Sequence, residues 1–95
     1  MQAIVREKID WLKQLNDDVL RVLPEYSEDI AEIDGKKVIV GTYHEVLADG
    51  AHKIVVQAVQ HRWLGITSRI KVDGFVFDAN GVRRSVTEKE LWDYS

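Results

Sequence analysis

KKVIVGTYHEVLADGAHKIVVQAVQHRWLGITSRIKVDGFVF, residues 36–77, reads as three long strands joined by two tight turns. β-Branched and aromatic residues dominate it, and Asp49-Gly50 between two such runs is a strong hairpin signal. Gly65 marks the second turn. The turn residues suggest a register. With Asp49 and Gly50 as a two-residue loop, Val40 faces Val59 and His44 faces Val55. With Leu64 and Gly65 as the next loop, Val59 faces Ile70 and Val55 faces Gly74. Side chains alternate between faces along a strand. One face then collects Val38, Val40, Val46, Val55, Val59, Ile70, Val72 and Val76, a bed for a helix. The other collects Ile39, Tyr43, Ile54, Val56, Arg69, Lys71, Phe75 and Phe77. A slip of one residue in either turn exchanges these faces.

Outward from this sheet, residues 3–23 read as one amphipathic helix. Ile4, Trp11, Leu12, Leu15, Val19, Leu20 and Leu23 form its apolar stripe. Pro24 ends it. Trp11, Leu15 and Val19 are expected against Val40, Val59, Ile70 and Val72. Ser27–Ile33 reads as an acidic edge strand, its charges discouraging pairing with other chains, and Asp34-Gly35 as a hairpin turn. On the far side, Asp78-Ala79-Asn80-Gly81 is a turn and Val82–Val86 a short strand. Thr87-Glu88-Lys89-Glu90 matches a capping box that opens a terminal helix. The expected fold is a single α+β domain spanning residues 1–95. A long N-terminal helix packs on one face of a four- or five-stranded antiparallel meander, and a short C-terminal helix closes the chain.

Composition narrows the chemistry. The chain of 95 residues has no cysteine, which excludes disulfides, thiolate metal sites and a cysteine nucleophile, and fits a reducing cytoplasm. Charges interrupt MQAIVREKIDWLKQL, so it does not read as a signal peptide, and no apolar run approaches a membrane span. The net charge of −3 is segregated. Residues 1–35 carry four basic and nine acidic side chains, residues 36–86 eight and four, and residues 87–95 one and three. An acidic flank complementing a basic sheet accounts for this pattern, and a basic surface for an anionic partner is the functional alternative.

No motif specifies a reaction. His44, His52 and His61 do not converge in the two-residue-turn register, so no metal site or cofactor is expected. His44 and Glu45 are strand neighbours and point apart, so they do not form an acid/base pair. The Gly74-Phe75-Val76-Phe77 core resembles the aromatic-rich strand motif of RNA-recognition domains, in which aromatics two apart stack on bases. That resemblance implies a nucleic-acid or anion-binding face using Tyr43, Arg69, Lys71, Phe75 and Phe77. The order of elements departs from that family's split plan. Tyr43, Ile54, Val56, Phe75 and Phe77 form a patch too apolar for a solvated second face. The leading expectation is therefore a non-enzymatic binding or assembly module, a homodimer or the partner of another protein, acting through Tyr43, Ile54, Val56, Arg69, Lys71, Phe75 and Phe77. A nucleic-acid binder is the second reading. An enzyme with a small-molecule pocket between helix and sheet is the third.

Overall fold

Two of the chain's three Asp-Gly pairs, Asp34-Gly35 and Asp49-Gly50, make turns, and the difference between those turns decides which side chains form the core. The computed structural model describes residues 2–61 and 68–94, with His61, Ser68 and Arg69 described by backbone alone. Five strands, β1 (Tyr26–Ile33), β2 (Lys36–Val46), β3 (His52–His61), β4 (Ser68–Phe77) and β5 (Arg83–Ser85), form one antiparallel meander in chain order. At the first turn Asp34 and Gly35 both take positive φ, 51° and 77°. They make a two-residue loop that places Ile33 opposite Lys36, as the sequence suggests.

At the second pair only Gly50 is left-handed, with φ of 85°. The Leu47 N–H donates to the Ala51 carbonyl at 2.7 Å, and the Gly50 N–H donates to the Leu47 carbonyl at 2.9 Å. The Asp49 carboxylate accepts from the Ala51 N–H at 3.0 Å. This is a type I turn followed by a left-handed glycine, a three-residue loop over Ala48, Asp49 and Gly50. It pairs Val46 with His52 and Ile39 with Val59. The expected partner of Val59 was Val40, so the pairing is displaced by one residue. The expected turn at Leu64-Gly65 lies outside the described residues. The pairing it implied, Val59 with Ile70 and Val55 with Gly74, is observed.

The displacement exchanges the faces of β3 and β4 relative to β2. Ile54, Val56, Ala58, Phe75 and Phe77 join Val38 and Val40 on the helix side, each 4% exposed or less. Val55, Val59, Ile70, Val72 and Val76, expected beneath the helix, lie on the opposite face. Gly74 permits this packing of β3 on β4, because a Cβ there would collide with the Ile54 carbonyl oxygen.

The expected single helix is two. α1 spans Gln2–Lys13 and buries Val5, Ile9 and Leu12, spaced four and three apart. It packs chiefly on β3 and β4. Asn16 then caps a second helix, α2 (Asp17–Arg21), by accepting from the Asp18 N–H at 2.9 Å. Asn followed by two aspartates is a helix start, and it interrupts the longer periodicity. Within α1 the buried stripe Val5–Ile9–Leu12 leaves Trp11 at its edge, 52% exposed. After the break Leu20 is buried and Val19 is 46% exposed. Leu15 packs at the margin of the core.

The C-terminal expectation holds in outline, with β5 one residue shorter at each end than Val82–Val86. Ala79, Asn80 and Gly81 form another three-residue loop, closed by the Asp78 N–H on the Val82 carbonyl at 3.1 Å. Thr87 and Glu90 make both bonds of a capping box at the start of α3 (Glu88–Leu91). A 3₁₀ turn, Trp92–Tyr94, follows. Among the described residues no helix is long and apolar enough to cross a membrane.

Leu12 carries core packing and Trp11 does not. Leu12→Ala is expected to cost about 2–5 kcal/mol, and Trp11→Ala about 1 kcal/mol or less. Urea unfolding of the two variants checks this, and equal costs would contradict the helix orientation.

Candidate functional site

The seven residues expected to form one binding face are divided by the sheet. Ile54, Val56, Phe75 and Phe77 are core, 0%, 0%, 1% and 0% exposed, beneath α1. The aromatic pair that resembled a base-stacking motif is therefore enclosed in this fold. Lys71 is exposed on the helix side, where it lines a notch of about 260 Å³ with Gln2, Val5, Arg6, Val72 and Asp73. Arg69 stands near the start of β4, and its side chain lies outside the described residues. Among the described side chains of the set, Tyr43 alone keeps its expected place on the face opposite α1.

Tyr43 organises one end of that face. Its ring lies 4.9 Å from that of Tyr26 and 5.0 Å from that of Tyr94, edge-on to the latter. The Tyr26 ring crosses Gly41, where a Cβ would approach it to 2.9 Å. The Tyr43 hydroxyl donates to Gln57 Oε1 at 3.1 Å, and Gln57 Nε2 donates to the Tyr94 carbonyl. Beside them Lys53, only 8% exposed, pairs with Glu45 at 2.9 Å and lies 5.1 Å from the centre of the Tyr94 ring. The Tyr94 hydroxyl donates to Glu45 at 3.2 Å. These bonds hold the Glu45 carboxyl below its usual range, the Lys53 hydrogen bond contributing most, while burial pushes the Tyr94 phenol up. The cluster fastens the C-terminal turn onto the sheet.

The other end of the face is open. Ile30 pairs with Ile39, Ile39 with Val59 and Val59 with Ile70. Four β-branched residues thus form one cross-strand row spanning four strands, about 14 Å at ordinary strand spacing. Ile30 is 64% and Ile70 41% exposed, with Ile39 and Val59 half-buried between them. Val59 and Ile70 were expected under the helix, which is why the row was not legible.

A histidine pair was missed for the same reason. His44 Nε2 lies 2.8 Å from His52 Nδ1, and His44 Nδ1 lies 2.9 Å from the Leu23 carbonyl oxygen. A carbonyl only accepts, so His44 carries its proton on Nδ1 and accepts from His52 through Nε2. His52 also stacks on Phe77, with centroids 5.0 Å and planes 9° apart. The pair ties the linker before β1 to the hairpin of β2 and β3. His44 and Glu45 point apart, as alternation requires. Among the described residues no three His, Cys, Asp or Glu side chains converge as metal ligands.

The basic residues of β5 are engaged within the fold. Arg83 donates to the carbonyls of Lys13 at 2.6 Å and Leu15 at 3.4 Å, and pairs with Asp17 at 3.0 Å. It thereby satisfies carbonyls left free where α1 ends. Arg84 binds both oxygens of Glu90, at 2.8 and 3.0 Å. With the Thr87 backbone assisting, this holds the Glu90 carboxyl down to about 2.

Arg83→Ala strips the end of α1 and Asp17 of their donor, and is expected to cost about 1.5–3 kcal/mol in urea unfolding. Arg84→Ala breaks an exposed pair and has the smaller effect. Acidification tests the histidines. Burial, then the neighbouring His44 and Arg21, lower the His52 pKa below 6.5. The unfolded chain therefore takes up this proton first. The contribution is complete above pH 6.5 and is lost as the pH falls through the folded value. The urea midpoint of the wild type should drop over that window, and His52→Phe should flatten the drop. An unchanged slope in the variant would remove His52 as its source.

No protein-family model matches this chain, and comparison with curated proteins and with solved structures likewise gives no match.

Proposed function

We propose that this chain is a non-enzymatic binding or assembly module that works in the cytoplasm and acts through the sheet face opposite α1. The observation that carries the reading is the open row Ile30–Ile39–Val59–Ile70. A sheet face turned to water is ordinarily polar, and β-branched residues in an unbroken cross-strand row are what a contact surface offers. One end of the same face is already covered by the C-terminal turn, through Tyr94 on Tyr43. A second protein surface completes the cover on the other end. Self-association through this row makes a homodimer, and the same row serves a partner protein.

Each large apolar side chain removed from water contributes about 1.5–3 kcal/mol, with little dependence on moderate salt. Light scattering of the purified chain tests the row. At tens of micromolar the wild type is expected above the mass of one 10.9 kDa chain, and Ile70→Asp is expected to return it to that mass. A wild type that stays monomeric at that concentration, or an Ile70→Asp variant that assembles unchanged, would count against self-association through the face.

A further inference from the structure

The outer edge of β1 is a margin of the sheet with which no described strand pairs. The first turn closes on Ile33 and Lys36, and the His44 N–H donates to the Glu25 carbonyl at 2.9 Å. Bonding alternates along an antiparallel pair, so odd-numbered residues of β1 bond to β2. The N–H and C=O groups of Tyr26, Glu28, Ile30 and Glu32 therefore point outward. The margin is acidic. Glu25, Glu28, Asp29, Glu32 and Asp34 fall within ten residues that contain no lysine or arginine. Asp29 is answered by Lys8 of α1 at 3.0 Å, whereas Glu25, Glu32 and Asp34 have no ion-pair partner among the described residues. On the helix side a shallow groove of about 290 Å³, lined by Ile4, Trp11, Ala31 and Val40 among others, runs beside the strand.

We propose that the β1 edge takes up an extended segment of another protein as a sixth strand, and that this segment carries two basic residues four apart with apolar residues between them. The outward backbone groups supply the ladder, the mode of recognition called strand addition. Opposite Glu28 and Glu32 the incoming strand carries Lys or Arg. Opposite Ile30 it carries a β-branched residue. On its other side it turns apolar side chains toward the Trp11 groove. The same charges shut the edge to a second copy of this chain. An antiparallel copy with Ile30 against Ile30 sets Glu28 against Glu32 twice. The neighbouring registers set Asp29 against Asp29, or Glu28 against Asp34. Like charges directly opposite destabilise a strand pair. An acidic edge thus excludes its own kind and selects for a basic strand. This inference concerns the edge and stands apart from self-association through the face.

The test uses the full chain and the peptide acetyl-Thr-Lys-Val-Ile-Val-Lys-Thr-amide. Controls are a peptide of the same residues in shuffled order and one with Glu in place of Lys. The lysine-bearing peptide in its original order is expected to bind and to slow hydrogen exchange at the amides of Glu28, Ile30 and Glu32. The double variant Glu28→Lys/Glu32→Lys, both positions exposed, is expected to weaken that binding about tenfold or more. It should gain binding of the Glu-bearing peptide. Equal binding of the shuffled peptide would reduce the effect to charge attraction and overturn the proposal. So would protection elsewhere in the sheet, or unchanged affinity in the charge-swapped variant. Protection of the same amides that grows with protein concentration and no peptide would make the occupant a second copy, and would also overturn it. The face is read separately, by the mass of Ile70→Asp, so either result stands without the other.

Discussion

The hydrogen bond from the Leu47 N–H to the Ala51 carbonyl sets the register of the central hairpin, and the rest of the structure depends on it. A strand alternates with period two, so one residue added to a turn transfers every side chain of the following strands to the opposite face. Burial decides between the two turns. In the observed register the helical layer rests on Ile54, Val56, Ala58, Phe75 and Phe77, which share one core with Leu12 of α1 and Leu20 of α2. In the displaced one it would rest on Lys53, Val55, Gln57, Gly74 and Val76. Burying each phenylalanine is worth about 1.5–3 kcal/mol, and enclosing an ammonium and an amide without partners costs further. A type I turn closed by Gly50 asks only one residue, a glycine, to adopt positive φ. Core composition and turn chemistry therefore favour the same hairpin.

Charge follows from the same arrangement. The basic sheet and acidic flanks meet through specific pairs, Arg83 with Asp17 and Arg84 with Glu90. These pairs fasten β5 to α2 at one end and to the capping box of α3 at the other. Arg83 has a further structural use, because the helix break at Asn16 leaves carbonyls that the guanidinium reaches. Complementarity within the molecule thus accounts for much of the charge segregation. On β1, among the described residues, only Asp29 is matched by a cation, a lysine of the helix.

The two halves of the face opposite α1 serve different ends. One is closed by polar side chains that would be costly to bury unpaired, Lys53 with Glu45 and Gln57 with Tyr94. The other keeps Ile30 and Ile70 in solvent. On the helix side, the histidine pair joins the segment before β1 to the central hairpin.

The sequence by itself determined the α+β class, the meander, the two-residue turn at Asp34-Gly35, the acidic edge strand and the capping box at Thr87. Each is a local matter, because the residues that cause it are within a few positions of one another. Asn16-Asp17-Asp18 was legible in the same way, as the start of a second helix, although the longer apolar periodicity masks it. The tertiary structure alone decided which face of the sheet lies inside. On β4 the alternation offers Phe75 and Phe77 with Arg69, Lys71 and Asp73 on one side, and an aliphatic set on the other, so pattern favours the wrong face. The helix settles the question by what it can bury. That choice also assembled the row Ile30–Ile39–Val59–Ile70, which needs four strands in register, and brought His44 to His52, which needs the register of β2 on β3. Contacts across strands depend on the cumulative register of every turn between them, and a one-residue ambiguity at Ala48 was enough to hide both.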